Sequence, residues 1–158
     1  GGMGMNIRIG LLTVGSALLL ALAPALAGAN DGMINVKSVH DVAATESRLV
    51  QALEGKGMTV FARIDHAEGA ASVDKALRPT RLVVFGNPKA GTPLMQCRQS
   101  AAIDLPQKAL IWEDSEGTVW LGYNDPEYLK QRHDIEGCDQ VIKKIEGALA
   151  GFAKAATE

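Results

Sequence analysis

The chain has 158 residues, 47% hydrophobic and 22% charged, which is the balance of a globular protein and the length of one ordinary domain plus a leader. Its formal charge is −2 at pH 7, and the longest basic cluster is Lys143-Lys144. That composition excludes nucleic acid and acidic membrane surfaces as main partners, since both ask for a basic patch.

The first segment reads as a leader. Arg8 supplies a positive start, Ile9 to Leu22 is uncharged and largely apolar, Pro24 breaks the run, and Ala25-Leu26-Ala27 or Ala27-Gly28-Ala29 offers a small-x-small cleavage site. The run is shorter than the ~20 apolar residues of a spanning helix. Residues 1–29 are therefore expected to be a secretory signal peptide. Residues 30–158 are expected to be a single domain that reaches the periplasm or is secreted, and is not membrane-embedded after cleavage.

Met33 to Val39 alternates Ile34 and Val36 with Asn35 and Lys37, the period of a half-buried strand. Asp41 caps a predicted helix with Val42, Leu49, Val50 and Leu53 on one face and Glu46, Arg48 and Gln51 toward water, ended by Gly55 and Gly57. A second strand runs from Met58 to Asp65, with Met58, Val60, Ala62 and Ile64 on one side and Thr59, Phe61 and Arg63 on the other. His66 to Leu77 is alanine-rich and stops at Arg78-Pro79, which predicts a short helix packed on the sheet.

Leu82 to Phe85 is a continuous apolar run, the pattern of a central strand covered on both faces. Thr92-Pro93 has the form of an N-cap followed by proline at the first helical position, so a helix is predicted to begin there. Ala109 to Trp112 and Thr118 to Tyr123 flank Asp114-Ser115-Glu116-Gly117 and read as a hairpin. Asp125-Pro126 starts a short helix that holds Tyr128, Leu129 and His133. From Asp139, the spacing of Val141, Ile142, Ile145, Leu149 and Phe152 predicts a long amphipathic helix across the sheet. The fold class is α+β: a single domain with an approximately five-stranded sheet backed by helices.

Few motifs carry chemistry. Gly86 to Thr92 imitates a phosphate loop in placement, yet Thr92 stands where lysine is needed and Pro88 deletes a cradling amide. Amides at the start of the Thr92 helix could still receive an anionic or polar group. His66-Ala67-Glu68 is half of a zinc deaminase signature whose cysteine half is missing. Ser72, Ser100 and Ser115 have no nucleophile-elbow setting, and no pattern ties them to His40, His66 or His133. Glu113 and Asp114 sit at a turn and read as solvated. Trp112 and Trp120 stand on the two hairpin strands, where they can pack together, line a pocket or form a dimer face.

Cys97 and Cys138 have two readings. An even pair in an exported chain is usually a disulfide, worth about 4 kcal/mol for a loop of this length. Alternatively they are thiols, with Met95, Cys97, Cys138 and His133 forming a thiol, copper or haem carrier.

Ile64-Asp65-His66-Ala67, Phe85-Gly86-Asn87-Pro88, Gly91-Thr92-Pro93-Leu94-Met95, Asp104-Leu105-Pro106, Trp112-Glu113-Asp114, Tyr123-Asn124-Asp125-Pro126 and Arg132-His133 together resemble the domain-of-unknown-function 302 family, over about residues 34 to 150. The resemblance implies a small α+β domain with one sheet backed by helices, commonly a homodimer, and brings no activity with it. Polar positions matching the family lie at strand ends and in loops: Asp65, His66, Asn87, Thr92, Tyr123, Asn124 and His133. Loops on a rigid scaffold are where sites form, so these seven are the candidate ligand-binding residues.

The reading is a non-catalytic exported domain, a homodimer, with an unknown small molecule between the Gly86–Thr92 loop and His66. No cofactor and no resident metal are expected. An enzyme would have only His66 with Asp65 or Glu68 as acid and base.

Overall fold

A computed structural model describes residues 1–4 and 31–158. The predicted signal peptide falls almost wholly outside the described residues. The elements are β1 (Met33–Ser38), α1 (Val42–Gly55), β2 (Thr59–Asp65), α2 (His66–Ala71), β3 (Thr80–Gly86), α3 (Pro88–Cys97), a 3-10 helix (Gln99–Asp104), β4 (Gln107–Glu113), β5 (Val119–Asn124), α4 (Pro126–Arg132) and α5 (Asp139–Thr157). The strands form one antiparallel sheet in the order β1-β5-β4-β3-β2.

Alternation along each strand decides what that sheet can bury. Val83 and Phe85 of β3, Ala109 and Ile111 of β4, and Val119 and Leu121 of β5 share one face and are buried. Leu49 and Leu53 of α1 and Ile142, Leu149, Phe152 and Ala156 of α5 are buried in the same core. Each fully buried side chain of this kind contributes about 1.5–3 kcal/mol. At the centre Phe85 and Phe152 meet edge to face, with ring centroids 6.2 Å apart, a preferred aromatic geometry. Asp41 caps α1 as expected, its carboxylate accepting the Ala44 amide at 2.7 Å.

Among the described residues no helix covers the opposite face. In register across it stand Trp120, Trp112 and Thr80 in one row, and Gly122, Leu110, Leu82 and Ile64 in the next. Leu82 and Val84 are only partly covered. Two expectations are corrected here: β4 is the central strand, and β3 is covered on one side. A continuous apolar run does not distinguish a doubly covered strand from one whose second face is left open.

Three local expectations also change. β2 has a register shift between Val60 and Ala62, a bulge at Phe61. The bulge moves Ala62 and Ile64 to the open face and turns Arg63 toward α1, so the predicted strict alternation fails beyond Val60. Helix α2 ends at Ala71 instead of Leu77 and buries none of its residues; without an apolar face to dock, alanine content alone does not extend it. Helix α3 starts at Pro88, five residues before Pro93, because the Asn87 side chain accepts the Lys89 amide at 2.8 Å and Pro88 occupies the first turn. Pro93 lies inside the helix, where it omits one backbone bond.

Glu46, expected to face water, is 3% exposed. It accepts from Arg63 Nε at 2.7 Å and from Arg81 Nη1 at 2.5 Å, and Arg81 Nε also reaches Asp65 at 3.3 Å. One carboxylate on α1 thus clamps β2 and β3. Burial acts to raise the Glu46 carboxyl, and the hydrogen bonds and charges of Arg63 and Arg81 outweigh it, holding the group below the usual carboxylate range.

A second clamp is covalent. Cys97 at the end of α3 and Cys138 before α5 form a disulfide, with Cα atoms 6.4 Å apart and a sequence separation of 41.

Glu46→Gln should destabilise the fold by about 1–3 kcal/mol in urea denaturation at neutral pH, because the arginines lose a charged acceptor in a buried setting. A carboxyl held low in the folded state stabilises above its unfolded value and ceases to do so as pH falls through the folded one. The gap between wild type and Glu46→Gln should therefore close on acidification. Replacing Cys97 and Cys138 together by serine should cost about 4 kcal/mol by the loop-entropy relation, read from the denaturation midpoint with and without reductant.

Candidate functional site

A groove of about 1200 Å³ lies between the C-terminal end of α1, α3 and α5. This exceeds the roughly 300–1000 Å³ of typical small-molecule sites. Phe85, Ile145, Leu149 and Phe152 come from the core into its lining, Gln51, Ala52, Gly55 and Met58 form one side, and Asn87 to Met95 form the rim. Phe61 lines it too: the β2 bulge re-aims this ring, which stays 56% exposed. Its edge approaches Gly86 closely, lying 3.3 Å from where a β-carbon would stand.

The rim is held at both ends. Asn87 donates from its side chain to the Gly57 carbonyl at 3.0 Å while capping α3, which ties α3 to the turn after α1. At the other end the disulfide anchors Cys97 to the start of α5. The first amides of α3 are already spent, since those of Lys89, Ala90 and Gly91 all bond to Asn87. The anion-receiving helix start expected at Thr92 lies inside α3 instead, and the start that α3 does have is occupied by its own cap.

The seven candidate residues are dispersed. Asn87 and Thr92 are in the groove. Asp65 and His66 lie at the other end of the β2–β3 pair, because Asp65 pairs with Arg81 whereas Asn87 follows Gly86, opposite Thr59. Six strand residues separate the two ends by roughly 20 Å. One pocket cannot hold both His66 and the Gly86–Thr92 loop. Asp65 caps α2 through the Glu68 amide, and this bond above all, with Arg81, holds its carboxyl low. His66 is exposed on a helix with no buried residue.

Tyr123 is 6% exposed in the core, where burial first and then Asp125 and Glu146 push its hydroxyl up. Asn124 pairs with Met33 at the sheet end. Asp114, read as solvated, organises the hairpin: it accepts from the Glu116 and Thr118 amides and the Trp120 indole, each at 2.9 Å. Trp112 and Trp120 are direct cross-strand partners on the open face.

His133 belongs to a different cluster. Its Nδ1 lies 3.0 Å from Ser100 Oγ, its Nε2 lies 2.5 Å from Asp104 Oδ2, and Arg132 donates to Asp104 Oδ1 at 2.9 Å. Serine, histidine and aspartate are thus joined where the sequence showed no link. Ser100 and Asp104 share one 3-10 turn and the imidazole is used in the sense opposite to a hydrolytic triad. The groove lining does not include any of the three. This arrangement fastens the 3-10 helix to the end of α4. With His133 bonded to Ser100 and Asp104, Met95 lining the groove and both cysteine sulfurs bonded to each other, the four side chains named for a metal carrier do not form one ligand set. No metal-holding group of three or more His, Cys, Asp or Glu side chains occurs among the described residues.

Sequence reasoning missed most of the groove wall on α5, where Gly147, Ala148, Gly151 and Ala155 line the space. A signal was present. Glycine in a helix interior costs about 1 kcal/mol relative to alanine, and two four residues apart in a long amphipathic helix mark a face under some other constraint.

Comparison with known proteins places the chain. A family model described as domain of unknown function DUF302 matches residues 34–152. An uncharacterized conserved DUF302 protein from Bacillus stearothermophilus, known from a crystal structure, superposes with a TM-score of 0.73 over 80% of this chain and 99% of that one, at 18% identity. That level of identity supports the fold alone. Fluoride-specific ion channel FluC 1 of Brucella suis biovar 1 (strain 1330) is 46% identical over 121 residues, 76% of this chain and 48% of its own length. FluC 1 of Brucella abortus biovar 1 (strain 9-941) and FluC 2 of Brucella melitensis biotype 1 (strain ATCC 23456 / CCUG 17765 / NCTC 10094 / 16M) match equally over 45% of theirs. This chain thus spans about half the length of the curated relatives it matches, and no helix among its described residues is long and apolar enough to cross a membrane. With the family model covering nearly all of the folded part and the same architecture in a solved relative, the chain belongs to the DUF302 family.

Proposed function

We propose that this protein is a non-catalytic binding domain that takes a small, largely apolar molecule in the groove between α1, α3 and α5. The observation that carries the reading is the groove wall itself. Gly147 and Gly151 line it, and a β-carbon built on either meets nothing within 4 Å among the described residues. Neither glycine is needed for close packing there, so the helix gives up stability while room is kept beside it. The ends of the rim are fixed by Asn87 and the disulfide, which favours a largely pre-formed site.

The fluoride passage named for the Brucella relatives we assign to the half of those chains that this chain does not match. We read the matched half as an accompanying binding domain. Export to the periplasm or beyond is part of the same proposal, supported by the leader pattern and the disulfide. The uncovered sheet face, with Trp112, Trp120, Leu110 and Leu82 in register, suits a two-fold contact with a second copy.

An uncharged environment-sensitive dye such as N-phenyl-1-naphthylamine should brighten on binding the full chain. Gly151→Leu should abolish that signal while raising helix stability by about 1 kcal/mol, read by thermal unfolding. Dye binding that survives Gly151→Leu would place the apolar site elsewhere.

Ser100→Ala should leave both dye binding and the slow hydrolysis of p-nitrophenyl acetate unchanged. His133→Ala should lower stability by about 1–3 kcal/mol, because it leaves Asp104 short of a partner. A serine-dependent esterase rate would instead make the cluster catalytic.

A further inference from the structure

The geometry points to a free, single-chain anionic amphiphile of the fatty-acid kind as the occupant of this groove, an inference that rests on the binding reading above. Charge on the groove wall is one-sided. Its charged lining residues are Lys56, Lys89 and Lys144, and no aspartate or glutamate stands among them. None of the three lysines has an ion-pair partner among the described residues, whereas Lys130 and Lys154 are both paired. In a chain with a formal charge of −2, three lysines with no acidic residue among them around one apolar space give this wall a sign opposite to that of the whole chain.

They come from separate elements. Lys56 follows α1, Lys89 is in the first turn of α3 and Lys144 is on α5. Lys56 and Lys89 stand one and two positions from the residues joined by the hydrogen bond from Asn87 to Gly57, so the bond that fixes the rim also brings these two lysines to the same end of the groove. The α3 amides cannot serve as the anion site, being bonded to Asn87. Lysine heads must therefore supply the recognition. Long lysine stems lie along apolar surface with the charged end in water, which places positive charge at the mouth of an apolar trough. An apolar chain with one anionic end matches both parts. A neutral hydrocarbon leaves the charges unused, and a cationic amphiphile is repelled.

Displacement of the bound dye from the full chain tests this with three twelve-carbon probes: dodecanoate, dodecanol and dodecyltrimethylammonium. Dodecanoate should compete about tenfold more strongly than dodecanol, with the advantage shrinking as salt rises, and the cation should compete least. The triple variant Lys56→Gln, Lys89→Gln, Lys144→Gln should unfold at the wild-type temperature and treat dodecanoate like dodecanol. Equal competition by acid and alcohol in the wild-type protein would overturn the anionic preference while leaving the groove reading intact. Failure of the dye and all three probes would overturn both. Capture of the protein by phosphatidylglycerol vesicles without competition from monomeric dodecanoate would show a bilayer surface as the anion and sink the free amphiphile.

Discussion

One-sided packing of α1 and α5 on the five-stranded sheet is the constraint from which the other features follow. Two helices can cover the inward faces of β3, β4 and β5, and burying Val83, Phe85, Ile111 and Leu121 against Leu49, Leu53, Leu149 and Phe152 is what holds the layers together. With no third layer among the described residues, the outward face keeps its tryptophans and leucines partly exposed. The same geometry leaves space where the end of α1 and the small-residue side of α5 stand over the β2–β3 corner. The groove occupies that space.

Polar groups then determine how the corner is shaped. Glu46 draws Arg63 and Arg81 to the helix side of β2 and β3, an arrangement made available by the bulge at Phe61. The bulge has two consequences at once: it turns Arg63 inward for the ion pair and turns the Phe61 ring toward the groove. Asn87 links three features in a similar way, capping α3, binding Gly57 and occupying the amides that would otherwise accept an anion. The disulfide completes the frame by joining the far end of α3 to α5. A rim fixed at both ends favours binding over wholesale rearrangement.

The match to half of proteins named as fluoride channels is informative about architecture. It shows this domain type within longer polypeptides, while the likeness to the Bacillus stearothermophilus protein extends over the whole of that chain. The likeness to the Bacillus stearothermophilus protein shows the shared fold, a sheet with its helical layer.

Local periodicity and cap chemistry were enough to determine most of the strands and the two long helices. Alternation at Ile34 and Val36, the Asp41 cap, the hairpin at Asp114-Ser115-Glu116-Gly117 and the helical spacing from Val141 to Phe152 depend only on neighbours a few positions away, and all recur in the structure. The family motifs added the α+β architecture. The start of α3 at Pro88 rests on its local Asn87 cap, whereas the bulge at Phe61, the burial of Glu46 and the dispersal of the seven candidate residues were decided by tertiary structure. Each depends on a partner distant in sequence: Arg81 for Glu46, Gly57 for Asn87, Asp104 for His133. The groove was hidden for the same reason, since its wall is a set of small residues and lysines whose meaning appears only when α1, α3 and α5 are brought together over one corner of the sheet.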